Sequence, residues 1–225
     1  MKIYDEKNKS EISNPDLSVG YLYDGLIVTD CIDPMVEVIP ETVTDYRPEG
    51  LSRLVPARNI TEPCKYYHTY TAEEIEEEKA LKNEELSAAC EAAINGGTKV
   101  RFSDGSERVV TYDIKDQANI KELFDAVRMG APAYPFHTPS EDCMMYSAAD
   151  IIAIYSTLSG YKTAQLTYHN KLKKYVESLS IVPDIRAVQY GDPLTGEYLE
   201  GYNKLIAEAE AVMQALLQGV TQGAG

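Results

Sequence analysis

Residues 96–127 carry the clearest pattern of hydrophobic and polar positions in the chain. Two short segments rich in β-formers, residues 99–102 and 109–112, flank Asp104-Gly105, a pair that readily adopts the positive φ angles of tight hairpin turns. The next apolar positions are spaced as on one face of a helix, at Ile120, Leu123, Phe124 and Val127. The pattern predicts a β-hairpin followed directly by a helix that begins near Asp113.

The junction between this hairpin and helix contains two carboxylates, Asp113 and Asp116. Such a pair has the residue types of an acid–base or metal site, but the same spacing at a strand-to-helix junction is typical of a turn residue and a helix cap. We favour the structural interpretation. Gln117 and Asn119, in the first helical turn, are expected to hydrogen bond to the hairpin backbone and fix the helix against it.

A second helix is predicted from Thr71, because Thr71 and Glu74 have the spacing of a capping box. The helix is expected to end at Asn95-Gly96-Gly97, a strong C-terminal stop. Its first half has few apolar residues, so that half is either solvated, which we favour, or part of a narrow seam between copies of the chain.

The rest of the C-terminal half reads as short extended segments and long helices. A helix is predicted from Ser147, continuing past Gly160 until Pro183 stops it. Residues 185–190 alternate apolar and polar positions, which predicts a half-buried strand. A last helix over residues 200–217 precedes a Gly-rich tail, residues 219–225, that we expect to be frayed and flexible.

The first 70 residues differ from the others because six prolines are spread among short apolar runs. Strands are predicted at residues 26–28 and 35–39, with a strand-and-turn link at residues 20–25. Frequent proline removes ladder donors and favours extended backbone. We therefore predict an extended, strand-poor arm with little core of its own, which orders on another surface.

Together these patterns predict an α+β protein. The extended Pro-rich arm with short strands covers residues 1–70, a helix, β-hairpin, helix and long-helix domain covers residues 71–218, and a flexible tail covers residues 219–225. At 225 residues and 44% hydrophobic composition, the chain is long enough for one substantial core.

The net charge of −15 argues against nucleic acid as a partner, because phosphate binding requires clustered lysine and arginine. The nearest basic cluster, Lys171, Lys173 and Lys174, is interpreted as a solvated helix face. No apolar run approaches the ~20 residues that span a bilayer, and no hydrophobic stretch follows the N-terminus. We expect a soluble protein made in a cytoplasm, with no membrane partner.

Catalytic, metal-binding and cofactor-binding patterns are weak in this sequence. The three histidines and four cysteines have no metal-ligand spacing, and the Gly-rich segments carry no nucleotide fingerprint. His137 and Cys143 suggest a thiolate–imidazole pair, but no glycine elbow or oxyanion element accompanies them. We therefore predict neither an enzyme nor a cofactor.

The aromatic composition is unusual, with 17 Tyr, 3 Phe and no Trp. Tyrosine combines apolar area with a polar tip, which suits surfaces between subunits. Half-exposed strand positions explain the same composition equally well. As candidate partner-binding residues we name four tyrosines of the arm: Tyr21, Tyr23, Tyr66 and Tyr67.

Residues 86–190 resemble a domain of unknown function common in tailed-phage proteins. The resemblance is carried by five ordered segments: the Ala-rich helix ending at residues 94–97, then residues 103–105, 116–120, 135–137 and 146–150. Residues 14–17, 20–22 and 67–71 are similar to the openings of small tail-gene products from phages of Gram-positive gut bacteria.

This resemblance implies a role in a phage tail, as a baseplate or tail-fibre component or as a factor that assembles fibres. It brings no catalytic residues. Many tail proteins with this domain continue into long receptor-binding regions and this chain does not, which favours an adaptor or an assembly factor. The implied location is the virion tail, with other tail proteins and further copies of the chain as partners. A chaperone absent from the mature virion is the alternative, and a cell-wall-acting enzyme a distant third.

Overall fold

The computed structural model describes residues 1–38, 52–139 and 142–223. The described chain mixes helices and small sheets, which confirms the predicted α+β class. It divides into two compact units, Met1–Glu74 and Ile75–Gly225.

The first unit is built mainly from strands. It contains β1 (Ile3–Asp5), β2 (Gly20–Ile32), β3 (Met35–Val38), β4 (Ser52–Val55) and β5 (Arg58–Thr69). Three of them form a sheet in the order β1-β5-β2, in which β1 pairs with β5 in parallel and β2 pairs with β5 antiparallel. The other two, β3 and β4, form a separate antiparallel pair.

The expectation of a strand-poor arm with short strands is wrong, because β2 is 13 residues long, with one register shift between Val28 and Asp30, and β5 is 12 residues long. Each strand pairs with the facing edge of the other along its length, so the strands form without an apolar run of strand length. Gly25, expected in a turn, is needed for a close approach instead: a Cβ there would lie 2.5 Å from the Tyr66 ring. Of the predicted strand at residues 35–39, Ile39 lies outside the described residues.

The second unit begins within helix α1 (Ala72–Gly96) and continues through shorter strands and four further helices. In chain order these are β6 (Thr98–Arg101), β7 (Glu107–Val110), α2 (Ile114–Arg128), β8 (Ala133–Phe136), β9 (Met144–Ser147), α3 (Ala148–Ser178), α4 (Val182–Ala187) and α5 (Gly196–Gly223).

The hairpin β6–β7 and the helix α2 form where the sequence pattern predicts them. Gly105 has φ +82°, and the Asp104 carboxylate accepts hydrogen bonds from the Ser106 amide and hydroxyl. At the start of α2, the Asp113 side chain accepts from the Asp116 amide at 2.9 Å. The hairpin turn and the helix start are therefore both closed by local side-chain hydrogen bonds.

The main core lies between the hairpin, α2 and α3. Its fully enclosed members include Val100, Ile120, Ile151 and Leu158, and the Phe124 ring stacks on Tyr155 with centroids 3.9 Å apart. A second buried cluster joins α1, the C-terminal part of α3 and α4, and contains Leu86, Leu172, Val176, Ile185 and Val188.

Residues 185–190 do not form the predicted strand, because residues 182–187 are helical. Pro183 lies at the first turn of α4, where its missing N–H has no helical partner to lose. Val182, Ile185 and Val188 are buried at three-residue spacing, so the pattern of this segment is that of one helical face. The last helix also differs from its prediction, because α5 begins at Gly196 and extends to Gly223.

Asp150 connects the start of α3 to the hairpin. Its carboxylate accepts the Ser103 amide at 2.8 Å and the Ser147 hydroxyl at 2.6 Å. Burial disfavours ionisation of Asp150, but the hydrogen bonds from Ser147 and Ser103 outweigh it and hold the pKa of the carboxyl below its usual value.

We expect Asp150→Ala to lower the free energy of unfolding by about 1–3 kcal/mol, because the Ser103 amide loses its acceptor. Urea denaturation measures the change. The matched control is Glu91→Ala on the exposed face of α1, for which we expect a change within about 0.5 kcal/mol. Equal effects of the two substitutions would contradict the role given to Asp150.

Candidate interaction surface

The outer part of the β2–β5 pair is a two-stranded ribbon. β1 pairs with residues 65–67 of β5, at the inner end. From Leu26 and Pro63 outward to Ile32 and Arg58, β2 and β5 pair only with each other among the described residues. Each strand there has one edge whose backbone groups are not taken up by a described strand. Such edges are the usual place where another chain adds a strand.

Large apolar side chains are exposed along this ribbon and along the β3–β4 pair, which lies between β2 and β5 in sequence. Leu26 is 60% exposed and Leu54 72% exposed. A two-stranded ribbon is at best marginally stable in water on its own. We call six exposed residues, taken over both faces because Met35 and Val36 are consecutive in β3, the ribbon patch: Leu26, Val28, Met35, Val36, Leu54 and Ile60.

The inner part of the same sheet has a small core of its own. Cys64, Tyr66 and Tyr67 are the buried apolar residues of the described part of the first unit. The Tyr66 hydroxyl donates to the Leu26 carbonyl at 3.0 Å, and the Tyr67 hydroxyl donates to the Asp16 carbonyl at 2.7 Å. Burial in the sheet covers the rings of the two tyrosines, and these hydrogen bonds occupy their hydroxyls.

The four tyrosines named as partner anchors therefore have different environments. Tyr66 and Tyr67 are buried and serve the core of the sheet, and Tyr23 is half-buried beside Tyr66, with ring centroids 5.7 Å apart. Only Tyr21, at 39% exposed, presents a substantial surface among the four. The exposed apolar area of the ribbon is aliphatic, which the emphasis on tyrosine missed.

A histidine lies between two carboxylates at the inner end of β5. The His68 Nδ1 atom contacts the Glu6 carboxylate, and its Nε2 lies 2.8 Å from Glu74 Oε2. Glu74 also accepts the Thr71 amide at 2.8 Å while its own amide donates to the Thr71 hydroxyl, so the capping box is present. The cluster ties the segment after β1 and the first turn of α1 to β5.

Both carboxylates favour the protonated imidazole. Hydrogen bonds to Glu74 and Glu6 raise the pKa of His68 above its usual value. The pKa of Glu6 is lowered by its hydrogen bond to His68, and that of Glu74 by the Thr71 amide and then by His68. Sequence analysis missed this cluster because Glu6 is 62 residues from His68; a histidine close before a capping-box glutamate was the only local signal.

The other residues singled out from the sequence serve the hairpin and α2. The Asp104 carboxylate also accepts from Arg108 at 3.1 Å. The Gln117 side-chain amide donates to the Tyr112 carbonyl, just after β7, at 2.9 Å. Asn119 is exposed and lines a shallow groove of about 240 Å³ together with Asp116, His137 and Cys143.

Within residues 1–38, 52–139 and 142–223, no three His, Cys, Asp or Glu side chains are grouped so that they could hold a metal ion. Among the helices of the same ranges, none combines the length and hydropathy of a membrane span.

The His68 cluster predicts a pH dependence of stability. A histidine whose pKa is raised on folding, from 6.5, stabilises the fold fully below about pH 6.5 and loses that contribution as the pH rises through the raised value. The two glutamates, with pKa values lowered from 4.5, contribute above about pH 4.5 and lose their contribution as the pH falls through the lowered values. Stabilisation by the cluster is therefore greatest between these limits.

We expect the difference in melting temperature between the wild type and His68→Gln to be largest near pH 6 and to shrink as the pH rises, as measured by near-UV circular dichroism of the tyrosines. The matched control is His137→Gln, because His137 is exposed. A wild-type-minus-His68→Gln difference that stays constant or grows above pH 6 would contradict the assignment.

A family model described as Domain of unknown function (DUF4376) matches residues 77–191, just over half of the chain. No curated protein and no solved structure matches the chain. The match includes residues 86–190, so the expectation of a domain of unknown function in this region is confirmed. The chain belongs to the family described as Domain of unknown function (DUF4376).

Proposed function

We propose that this protein is a structural component of a bacteriophage tail, a baseplate or tail-fibre adaptor, that acts by protein–protein assembly. The observation that carries the assembly role is the outer β2–β5 ribbon with its exposed aliphatic side chains. The tail context is supported by the sequence resemblance of residues 86–190 and of the N-terminal motifs to tailed-phage proteins.

The ribbon patch leaves a large apolar area uncovered. Six large apolar residues of the ribbon patch are exposed, whereas the described part of the first unit buries only Cys64, Tyr66 and Tyr67 among its apolar residues. Covering apolar surface yields ~25 cal/mol per Å². A neighbouring tail subunit that covers the ribbon patch would therefore stabilise both the ribbon and the assembly.

Backbone pairing would fix the orientation of the neighbouring subunit relative to the ribbon. The outer edges of β2 and β5 suit strand addition by a neighbouring subunit, in which main-chain hydrogen bonds supply affinity and side-chain pockets supply specificity. Two carboxylates are exposed along and just after the outer part of β2, at Asp30 and Asp33, whereas Asp24 already pairs with Lys65 at 2.7 Å. We expect the partner to present lysine or arginine beside its pairing strand.

We further propose that the protein acts without catalysis and without a cofactor, and that it assembles with copies of itself. The carboxylates that suggested an acid–base pair, Asp113 and Asp116, cap α2. Virion proteins are commonly present in many copies, and symmetric repetition of one contact is the usual form of such assemblies.

A tail-fibre assembly chaperone is the second candidate. The same ribbon suits a transient complex with a fibre protein, because strand addition needs no permanent partner. The two functions differ in one measurable respect, which is whether the protein stays in the finished particle. A cell-wall-acting enzyme ranks third, and turnover of peptidoglycan by the wild type but not by His137→Ala would support it.

We expect mass spectrometry of purified phage particles to find the protein in a fixed ratio to the major tail protein. Presence in infected cells together with absence from purified particles would support the chaperone instead.

We expect a ribbon variant with threonine at Leu26, Val28, Val36 and Leu54 to fold but to be depleted at least about tenfold from particles, because threonine preserves strand propensity and removes apolar contact area. The matched control is Val109→Thr, a similarly exposed strand position of the hairpin β6–β7. Normal incorporation of the ribbon variant would overturn docking through the ribbon.

A further inference from the structure

Residues 1–12 fold back on themselves and cover one edge of β5; we call them the strap. Within the strap, the Ile12 amide donates to the Ile3 carbonyl at 2.8 Å. Its strand, β1, pairs in parallel with residues 65–67 of β5, on the side of β5 that faces away from β2. The strap therefore covers the inner end of an edge of β5 that no described strand pairs with farther out.

The strap is held to β5 by few main-chain contacts and by no buried side chain. None of residues 1–19 is buried. Beside the three residue pairs of the β1–β5 ladder, the Glu6 amide donates to the Tyr67 carbonyl and the Lys65 amide to the Lys2 carbonyl, both at 3.0 Å. A segment held in this way opens locally at a low cost in free energy, without unfolding of the rest of the chain.

Two side-chain contacts add to this hold. The Lys9 Nζ atom lies over the Tyr66 ring, 4.0 Å from its centroid, and the Glu6 carboxylate contacts His68 Nδ1. Lysine and tyrosine titrate near about pH 10, whereas histidine is the side chain that ordinarily changes its charge near neutral pH. Of the two contacts, only that of Glu6 with His68 therefore responds to pH in the neutral range.

The two carboxylates around His68 require an N–H on each ring nitrogen. Glu6 lies at Nδ1 and Glu74 at Nε2, and only the protonated imidazole donates from both atoms. After loss of the proton, one carboxylate faces a lone pair. Glu74 is fixed by the capping box, since it also accepts the Thr71 amide, so Glu6 is the carboxylate that can move away.

The other groups near the cluster do not reverse this effect. The Tyr21 ring of β2 lies beside the His68 ring, with centroids 5.1 Å apart, and is uncharged near neutral pH. A hydrogen bond with Tyr23 and the charge of Lys9 both help to lower the pKa of Glu6. Glu6 therefore stays ionised when His68 loses its proton.

We propose that the strap is a pH-dependent cover of β5, closed while His68 is protonated and opened when His68 loses its proton to solvent. Opening adds residues 65–67 to the free outer part of the same β5 edge, so that one longer edge becomes available to the neighbouring subunit. In this use of the edge, the inference rests on the strand addition of the proposed function. The opening itself does not depend on it.

The direction of the pH effect follows from the same contacts. Hydrogen bonds to Glu74 and Glu6 raise the pKa of His68 from 6.5, so the closed strap is favoured at about pH 6 and loses this support as the pH rises through the raised value.

The test is amide hydrogen exchange of the full chain at about pH 6 and about pH 8.5, read by mass spectrometry and corrected for the pH dependence of unprotected amides. We expect the protection of a peptide spanning the strap to fall at least about fivefold at the higher pH, because the Glu6 contact is lost. Protection of a peptide spanning the hairpin β6–β7 should stay unchanged.

A pair of variants assigns the effect to Glu6. We expect Glu6→Gln, which removes the charge at His68 Nδ1, to give a weakly protected strap at both pH values. The matched control is Glu11→Gln, the same chemical change within the strap at a carboxylate that pairs with Lys2 at 3.2 Å. This variant should keep the fall in protection between the two pH values.

Equal strap protection at the two pH values in the wild type would overturn the proposal. The same holds if Glu11→Gln abolishes the pH dependence as Glu6→Gln does, or if the hairpin β6–β7 loses protection together with the strap. The measurement uses the isolated chain, so its failure leaves ribbon docking standing. Normal incorporation of the threonine variant of the ribbon patch into particles would overturn ribbon docking and leave the opening of the strap intact.

Discussion

The backbone ladder between β2 and β5 is the interaction on which the first unit depends. It spans 12 residues of β5, whereas β1 adds three residue pairs at the inner end. Side chains contribute less, because only Cys64, Tyr66 and Tyr67 are buried apolar residues in the described part of the unit. The source of stability therefore changes along the β2–β5 pair: side-chain packing stabilises the inner end, and main-chain hydrogen bonds stabilise the outer end.

The second unit has the opposite balance. Its strands are short, and its stability comes from apolar side chains packed between the hairpin and the helices α1, α2 and α3. Polar groups there support that packing: Asp113 closes the start of α2, and Asp150 links the start of α3 to the turn after β6 through the Ser103 amide. The family match covers most of this packed part of the chain.

Local sequence signals predicted most of the second unit. Asp104-Gly105 marked the hairpin turn, and Thr71 with Glu74 marked the start of α1, because turn and cap chemistry depends on residues close in sequence. The strand predicted at residues 185–190 was wrong because the buried positions follow a three-residue spacing that begins at Val182. Within residues 185–190 alone, this spacing resembles the alternation of apolar and polar residues in a strand. Pro183, just before this segment, can lie at the start of a helix as readily as beyond the end of one.

The first unit was harder to predict because its determinants are far apart in sequence. The length of β2 depends on pairing with residues 26 to 49 positions later in β5, and no local pattern reports that pairing. The His68 cluster depends on Glu6 in the same way. The sequence did not predict the ribbon patch, because exposed aliphatic residues in a strand cannot be distinguished from buried ones by sequence pattern.

The tyrosine-lined inner sheet also gives the molecule a distinctive optical property. Tyr21, Tyr23, Tyr66 and Tyr70 lie within one connected set of ring contacts, and the chain has no tryptophan. Its intrinsic emission therefore comes from phenol groups alone, concentrated in part at the base of the ribbon. A tryptophan-bearing protein that binds there would accept their excitation energy, so contact would shift the ultraviolet emission from tyrosine to tryptophan without any attached label.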